Sequence, residues 1–360
     1  MILLVEEKLT VVKVSIVIKT LNEEKNIRMS IKSSLAVVAR GGEVVIADSA
    51  STDNTIEIAK EFPVTIVQIK NPAERCCGIG PQLGYQHTKG DYIYILDGDM
   101  ELKASFLERA IEILDNEPDV AGVGGYIHEM RTEHLEVQGR VNRLRRLRLK
   151  HPAEVQCLSG GGLYRRSAID DVGYFSDRNL HAFEEYDLGA RLRIKGWRLV
   201  KLEDQAVDHY SYSMSTWRVL WHRLCTGRFI SSGELLTAAI RGDYVKNAVS
   251  ETRIIQIAIG VWIYWAFAFV ISYWLFGTRP IVILLLLALL VPLLTMTIRH
   301  RSLKLALYSI LTWHLAAVGT LIGLSRRRKP PSDRIDSEVL QTAPAAGGIS
   351  ATHPPDLGAP

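Results

Sequence analysis

Two aspartates flank a single glycine where an apolar run ends, in the segment DYIYILDGD at residues 91–99. Asp97 and Asp99 are two positions apart at a predicted strand end, so their side chains face the same side. Neighbouring carboxylates repel each other unless a cation lies nearby, and Mg²⁺ or Mn²⁺ is the usual cation where substrate phosphates complete the site. The pattern therefore predicts a site for Mg²⁺ or Mn²⁺, with a turn closed by acid–amide hydrogen bonds as the alternative.

The elements that must position these aspartates alternate between strands and helices. Apolar, β-branched runs at 14–20, 42–51, 64–70 and 91–99 predict four strands, and helical spacing follows several of them. Such alternation is typical of an α/β domain with a mostly parallel sheet and helices on both faces. Polar turns after these strands meet at one edge of the sheet, where ligands bind in such folds.

Five segments extend this pattern in a fixed order: VSIVIKTLNEE, VVIADSASTDNT, KGDYIYILDGD, GGLYRRSAIDDVGYF and FEEYDLGARLRIKGW. Together they resemble the family 2 glycosyltransferases over residues 12–235. The resemblance implies the A-type glycosyltransferase fold, a nucleotide-binding α/β domain with a mostly parallel sheet. It also implies a nucleotide-sugar donor and a divalent cation, Mg²⁺ or Mn²⁺.

The resemblance implies a set of donor contacts at the strand ends. Thr20 and Glu23, in the turn after the first strand, would line the nucleotide base and ribose. Asp48 would contact the base, unless it only caps the following helix. Asp97 would face the ribose and the metal ion, and Asp99 would bind the metal ion that bridges the diphosphate.

Three features modify this assignment. His209 matches a histidine that completes the metal site in some members of the family, and a structural role is the alternative. The family commonly has an arginine before the metal-binding strand, where this chain has Pro81, so Arg75 is the candidate replacement in nucleotide binding. No Q-x-x-R-W motif of processive polysaccharide synthases follows His209, which favours addition of a single sugar.

Inverting sugar transfer needs a general base for the acceptor hydroxyl. The family places an acidic pair at a helix start, and here it is Glu184 and Glu185, so Glu185 falls at the base position and Asp187 is the fallback. The alternative is that the glutamates only stabilise the helix N-terminus. Glu184 and the glycines Gly161 and Gly162 would lie against the acceptor or the sugar, or the glycines merely form a tight turn.

The C-terminal third is strongly apolar. Segments 254–276 and 280–298 are each long enough to cross a bilayer. Segment 303–324 is flanked by basic clusters that favour a helix in the interface, with a third span as the alternative. The predicted domains are a cytosolic catalytic domain at 1–240, a membrane region at 241–325 and a disordered tail at 326–360. A basic stretch at 140–150 would contact anionic lipid headgroups or an acceptor phosphate, or is an ordinary solvated helix.

Composition limits the remaining possibilities. A net charge of +4 over 360 residues does not suggest nucleic-acid binding, and the four cysteines have no zinc-binding spacing. The sequence therefore predicts a multi-pass membrane glycosyltransferase that transfers a sugar from a nucleotide-sugar donor to a lipid-linked or glycan acceptor, with membrane lipids as further partners. The alternatives are a polyprenyl-phosphate sugar synthase and a catalytically inert nucleotide-binding scaffold.

Overall fold

A twisted sheet organises the N-terminal two thirds of the chain. The computed structural model describes residues 14–38, 41–130, 152–210, 216–277 and 287–344. The strands of these residues are β1 (Val14–Thr20), β2 (Glu43–Asp48), β3 (Thr65–Ile69), β4 (Tyr92–Asp97), β5 (Met100–Leu102), β6 (Val120–Glu129), β7 (Ala153–Glu154), β8 (Gly162–Arg165), β9 (Arg198–His209) and β10 (Ser337–Gln341). The four strands predicted from the apolar runs are all present.

The strand order is β10-β3-β2-β1-β4-β8-β6-β9-β5, with β7 paired to β9. The half built from β3, β2, β1 and β4 is parallel, as predicted. Around β8 the pairing becomes antiparallel, and β5, β7 and β10 also pair antiparallel with their neighbours. Because β6 and β9 pair parallel beyond β8, the sheet is mixed rather than mostly parallel.

Helices cover both faces of the sheet and continue into the apolar C-terminal part. They are α1 (Ile27–Val38), α2 (Thr55–Ala59), α3 (Ile79–Gln86), α4 (Ala104–Asn116), α5 (Arg166–Asp171), α6 (Glu184–Ile194), α7 (Thr216–Cys225), α8 (Ser231–Arg241), α9 (Val245–Glu251), α10 (Arg253–Phe276), α11 (Leu290–His300) and α12 (Leu303–Ser325). The central strands are buried on both sides: Ile16 and Ile18 pack in one core, and Val17 in the other. This double burial explains their continuous apolar sequence.

The C-terminal helices form an antiparallel pair with a shorter helix beside it. Helices α10 and α12 pack together. Near the middle of both helices, the indole Nε1 of Trp265 donates a hydrogen bond of 2.9 Å to Nε2 of His314. Among the described residues, two helices are long and apolar enough to cross a membrane, Arg253–Leu275 and Leu303–Ser325. The predicted second span at 280–298 lies partly outside the described residues, which resume at residue 287, and α11 covers its C-terminal part.

The end of the chain is ordered against the sheet, so the prediction of a disordered tail is wrong for residues 326–344, here called the C-terminal strap. Strand β10 adds to the edge strand β3 in antiparallel register, and Ile335 is 1 % exposed. The side-chain amide of Gln341 donates to the carbonyls of Phe62 and Val64 at 2.7 and 3.0 Å. A polar segment gains order here because an unpaired sheet edge supplies backbone partners that its composition does not reveal.

Candidate active site

The turns after β1 and β2 meet through a buried carboxylate. Asp48 accepts hydrogen bonds from the hydroxyl of Thr20 at 2.9 Å, from the amide and hydroxyl of Ser51 at 2.8 and 2.5 Å, and from the amide of Gln68 at 2.8 Å. Asp48 is 0 % exposed. The structure therefore brings the predicted nucleotide residues Thr20 and Asp48 together, with the carboxylate holding both turns in place.

The same turns contain backbone conformations that side chains disfavour. Asn22 and Ala50 have positive φ angles of 59° and 60°, and Phe183, immediately before α6, has φ 71°. Arg75 lies across the turn after β2, where its guanidinium donates to the carbonyls of Ser49, at 2.8 Å, and Ala50. Such conformations are concentrated at functional sites, and Arg75 supports one of them.

The two aspartates lie at the end of β4, beside the turn after β1. The amide of Gly98 donates to the carbonyl of Lys19 at 3.1 Å, and the hydroxyl of Ser30 donates to the carbonyls of Gly98 and Met100 at 2.8 and 2.7 Å. Ser30 lies on α1 and is fully buried. This serine, which the sequence analysis missed, fixes the backbone that carries Asp97 and Asp99.

Glu23 lies against the glycine between the aspartates. A Cβ atom added at Gly98 would lie 2.8 Å from Cγ of Glu23, so only glycine allows this approach. Burial and the neighbouring charge of Asp99 raise the pKa of Glu23 to about 7. The predicted contact between the β1 turn and the diaspartate segment is thus close.

His209 reaches the second aspartate from β9. Strand β5 places Met100 opposite His209, and Nε2 of His209 lies 3.3 Å from Oδ2 of Asp99. Its Nδ1 lies 2.8 Å from a carboxylate oxygen of Glu129. Burial lowers the pKa of His209, but the hydrogen bonds to Asp99 and Glu129 outweigh this and raise it to about 10.

This arrangement fits a metal ion that substrate oxygens would complete. Among the described residues no group of three or more histidine, cysteine or acidic side chains is already placed to hold a metal ion. Asp99 and His209 are adjacent, and the carboxylate behind His209 is the usual outer partner of a ligating imidazole. Oxygen ligands from Asp97 and Asp99 together with diphosphate oxygens would suit Mg²⁺ or Mn²⁺.

Lys19 connects the aspartates to the acidic pair on α6. Its Nζ lies 2.8 Å from Oδ1 of Asp97 and 3.8 Å from Oε1 of Glu184. Burial lowers the pKa of Lys19, but the charges of Asp97, Glu184 and Glu185 raise it well above its ordinary value. The sequence analysis missed Lys19; the only local signal was a lysine ending a buried apolar strand.

Glu185 is held by the glycine turn before β8. Its Oε1 accepts a hydrogen bond from the amide of Gly160 at 2.8 Å. Burial and the charge of Glu184 raise the pKa of Glu185 to about 7, against the opposing influence of Lys19. A carboxyl group with a pKa near neutrality is suited to take up a proton.

The predicted glycines shape that turn. Gly160 and Gly161 have φ angles of +78° and +98°, and a Cβ at Gly161 would lie 2.3 Å from the carbonyl oxygen of Ile95. Gly161 lines a small cavity together with Lys19 and Glu185, whereas Gly162 belongs to β8 and packs against Leu158. The turn requires glycine for its backbone, and of the two predicted glycines Gly161 lies beside the acidic pair.

The structure places the fallback residue Asp187 in buried contacts away from the glycine turn. Its carboxylate is 0 % exposed, accepts from Nε of Arg191 at 2.9 Å and accepts from the hydroxyl of Tyr244. Tyr244 belongs to the core that α6 shares with α8 and α9, and Arg191 also donates to the carbonyls of Tyr174 and Phe175. Two positions along a helix turn the side chain to another face, so Asp187 serves packing rather than the site.

The chain has detectable relatives. Residues 15–173 match the model of glycosyl transferase family 2. An uncharacterized glycosyltransferase of Mycobacterium tuberculosis is 26 % identical over 191 residues, which cover 53 % of this chain and 83 % of the relative. The undecaprenyl-phosphate 4-deoxy-4-formamido-L-arabinose transferase of Edwardsiella ictaluri is 28 % identical over 123 residues, 31 % of this chain and 37 % of the relative.

One solved structure covers most of the molecule. The mannosyltransferase of Pyrobaculum calidifontis, in complex with GDP-Man and Mn²⁺, superimposes with a TM-score of 0.54 over 86 % of each chain, at 18 % sequence identity. At this identity the likeness concerns the fold. It confirms the predicted A-type glycosyltransferase fold, with the mixed sheet described above.

Proposed function

The chain carries a family 2 glycosyltransferase domain in residues 15–173, and from this premise we propose that it is a membrane-attached, inverting and non-processive sugar transferase. The donor is a nucleotide-sugar and the acceptor is a lipid-linked hydroxyl compound used in cell-surface glycan synthesis. The observation that carries this proposal is the meeting of Asp97, Asp99 and Glu185 at one sheet edge, with Lys19 between them.

The donor side is built from the turns after β1, β2 and β4. Thr20 and Glu23 face the nucleotide, and Asp48 holds the base-binding turn through its four hydrogen bonds. Arg75 supports that turn from outside. Asp97, Asp99 and His209 would hold Mg²⁺ or Mn²⁺, which when bound neutralises the diphosphate as it leaves.

Transfer is a single displacement. Glu185 takes the proton of the acceptor hydroxyl, and the acceptor oxygen forms its bond to the anomeric carbon. The bond from that carbon to the diphosphate oxygen breaks, and the electron pair leaves with the diphosphate. Because Oε1 of Glu185 is fixed by the amide of Gly160, the second oxygen is the one that faces the acceptor. Lys19 keeps Glu184 and Asp97 from repelling the ionised base.

The candidate membrane helices support attachment by two crossings. Helix α10 starts beside α9, and α12 ends against α8, where the hydroxyls of Ser232 and Thr320 are 2.7 Å apart. The C-terminal strap then pairs with β3. An odd number of crossings would separate the strap from the catalytic domain, so we assign the two crossings to α10 and α12, with the catalytic domain in the cytosol.

A topology reporter tests this assignment. Reporters inserted before Arg253 and fused after the described end at residue 344 should both read as cytosolic. A tag accessible only from outside at either position contradicts the two-crossing arrangement. An extracellular signal from a loop insertion at Gly277, the end of α10, completes the expected pattern.

A second acceptor chemistry has its own support. The relative from Edwardsiella ictaluri is named an undecaprenyl-phosphate transferase, and a phosphate acceptor needs no strong base. Transfer to a polyprenyl phosphate would therefore survive loss of Glu185. The raised pKa of Glu185 and its fixed orientation favour the hydroxyl acceptor.

The deciding experiment uses the purified full chain in nanodiscs. UDP-, GDP- and dTDP-sugars with Mn²⁺ are screened by thermal stabilisation, since a ligand raises stability in proportion to its binding. Turnover of the stabilising donor is then compared between Glu185→Gln and Glu108→Gln, an exposed glutamate on α4. We expect Glu185→Gln to bind donor normally and to lose about 10²–10⁴-fold in turnover. Wild-type turnover of Glu185→Gln contradicts the hydroxyl mechanism, and absence of donor binding contradicts the proposed function.

A further inference from the structure

A cavity of about 320 Å³ lies behind α6, the helix that carries Glu184 and Glu185, and away from the candidate active site. It is enclosed by the C-terminal half of α6, the end of α8 and the first residues of the C-terminal strap. Four cations and two carboxylates line it: Arg191, Lys195, Arg241, Arg328, Asp171 and Asp177. None of these residues belongs to the proposed transfer site.

One buried cation in the wall has an unused donor. Arg328 donates from Nη1 to the carbonyl of Glu234 at 2.9 Å and from Nη2 to the carboxylate of Asp177. Its side chain is 2 % exposed, yet Nε has no hydrogen-bond partner among the described residues. A buried N–H group without a partner is costly, so an acceptor is expected from outside the protein.

The other cations differ in how far they are already satisfied. Arg191 is fully used, because its guanidinium donates to Asp187 and to the carbonyls of Tyr174 and Phe175. Lys195 lies 3.8 Å from Asp171, a distance too long for a hydrogen bond. Arg241 is exposed and forms no ion pair within the part of the chain that the structure describes.

The balance of charge favours an anion. The three carboxylates Asp171, Asp177 and Asp187, the last lying behind Arg191, leave one of the four cations uncompensated. Two cations from separate elements, Lys195 of α6 and Arg241 of α8, therefore line the same space, and the buried Arg328 of the C-terminal strap forms part of its wall. Such a converging set of charged donors suits the several oxygens of a phosphate group.

The cavity also lies close to the ends of the candidate membrane helices. Arg328 follows directly after α12, which ends at Ser325, and Arg241 precedes the short helix α9 that leads into α10. If α10 and α12 cross the bilayer, the cavity opens near the level of the lipid headgroups. A headgroup phosphate and a soluble phosphate ester both have the chemistry that its donors recognise.

We propose that this cavity binds a phosphate-bearing anion that joins α6 to α8 and the C-terminal strap. Its first contacts are Arg241 and Lys195, and the buried Arg328 supplies a further positive charge in the wall. Because Glu184 and Glu185 occupy the first turn of the same helix, an occupied cavity braces the helix that carries the proposed base. The cavity does not depend on the sugar-transfer reaction and binds its ligand in the absence of donor.

The experiment measures phosphate binding by the full chain and by two variants, each with one cation replaced by glutamine. Arg241→Gln removes a cation of the cavity, and Lys246→Gln removes an exposed cation on the neighbouring α9 that does not line it. In one arm, inorganic phosphate and glycerol 1-phosphate are titrated into detergent-purified protein, and the unfolding midpoint is followed. In the other, native mass spectrometry counts phosphatidylglycerol and phosphatidylcholine retained from nanodiscs.

We expect binding in at least one arm, weakened about tenfold in Arg241→Gln by the loss of a charge-assisted hydrogen bond, and unchanged in Lys246→Gln. Retention of phosphatidylglycerol alone identifies a membrane source, and stabilisation by the soluble phosphates alone identifies a soluble ligand. If phosphate raises the unfolding midpoint equally in wild type and Arg241→Gln, it binds only at the donor site, and this result overturns the proposal. Equal losses in both variants, or no binding in either arm, also overturn it.

Discussion

The carboxyl edge of the sheet and the C-terminal strap hold their charged residues in opposite ways. At the edge, the Asp97 side chain is 32 % exposed and has one cation nearby, Lys19. Arg328 of the strap forms an ion pair with Asp177, and the two side chains are 2 % and 1 % exposed. Carboxylates that keep access to solvent remain available to a ligand, whereas a closed, desolvated pair is committed to structure.

The same contrast divides the acids of a single helix. Glu185 has one oxygen held by Gly160 and a pKa raised to about 7, and it lines a cavity beside Lys19. Asp187 has both oxygens bound by Arg191 and Tyr244 inside the protein. Exposure and unused hydrogen-bonding capacity, rather than residue type, therefore separate the residues proposed for chemistry from those that stabilise the fold.

The largest effect is expected at the diaspartate turn. Asp99→Asn removes a charged oxygen beside His209 without changing the side-chain volume, so transfer and metal-dependent donor binding should both fall to background. The measurements are donor turnover and calorimetric titration of donor with and without Mn²⁺. Asp91→Asn, an exposed aspartate at the other end of the same strand region, is the control and should keep both. Near-normal turnover of Asp99→Asn would remove it from the metal site.

The next effect tests the closed pair. Arg328→Gln leaves the carboxylate of Asp177 buried without its cation, so the free energy of unfolding should fall by about 3–5 kcal/mol, the usual cost of breaking a buried pair. The neighbouring variant Arg327→Gln changes an exposed cation and should leave stability within about 0.5 kcal/mol of wild type. Denaturant titration of both proteins in detergent makes the comparison. Similar stability of the two variants would mean that the strap contributes little to the fold.

A smaller structural effect separates clash from backbone strain. Gly161→Ala requires a left-handed backbone and places a Cβ 2.3 Å from the carbonyl oxygen of Ile95, whereas Gly173→Ala has φ +86° but meets no atom within 4 Å. The second variant should lose about 1–2 kcal/mol, the cost of the backbone alone. Gly161→Ala should lose more, and it should also lose activity because the turn positions Glu185. Equal stability losses would show that the turn before β8 can adjust.

The sequence predicted the parts of the site whose signals are local. Asp97 and Asp99 end a strand that its own apolar run identifies, and Thr20 and Asp48 end strands of the same kind, so one sheet edge collects them. The parallel half of the sheet followed from the same runs. The antiparallel half did not, because β5, β7 and β8 are short and carry little periodic signal.

What the sequence did not predict depends on partners far along the chain. Lys19 has its role only because Asp97 and Glu184 come to lie on either side of it. The C-terminal strap is polar and rich in charged residues, and it becomes ordered through the edge of β3 and through Asp177. Pairing over long distances is invisible to periodicity.

The smallest effect expected is a change with pH, and it concerns Glu185. The proposed base must be ionised, so turnover at low donor concentration should fall about tenfold per pH unit below the pKa near 7 and level off above it. The same shift has a consequence for stability. A carboxyl group whose pKa is higher in the folded than in the unfolded protein is least destabilising when protonated, so its cost appears as the pH rises above the unfolded value of 4.5. Glu185→Gln should therefore raise the unfolding midpoint at pH 8 more than at pH 5, while Glu108→Gln should change it equally at both. If Glu185→Gln were less stable than wild type at pH 8, the ionised Glu185 would stabilise the fold through Gly160 and Lys19, and its role would be structural rather than that of a general base.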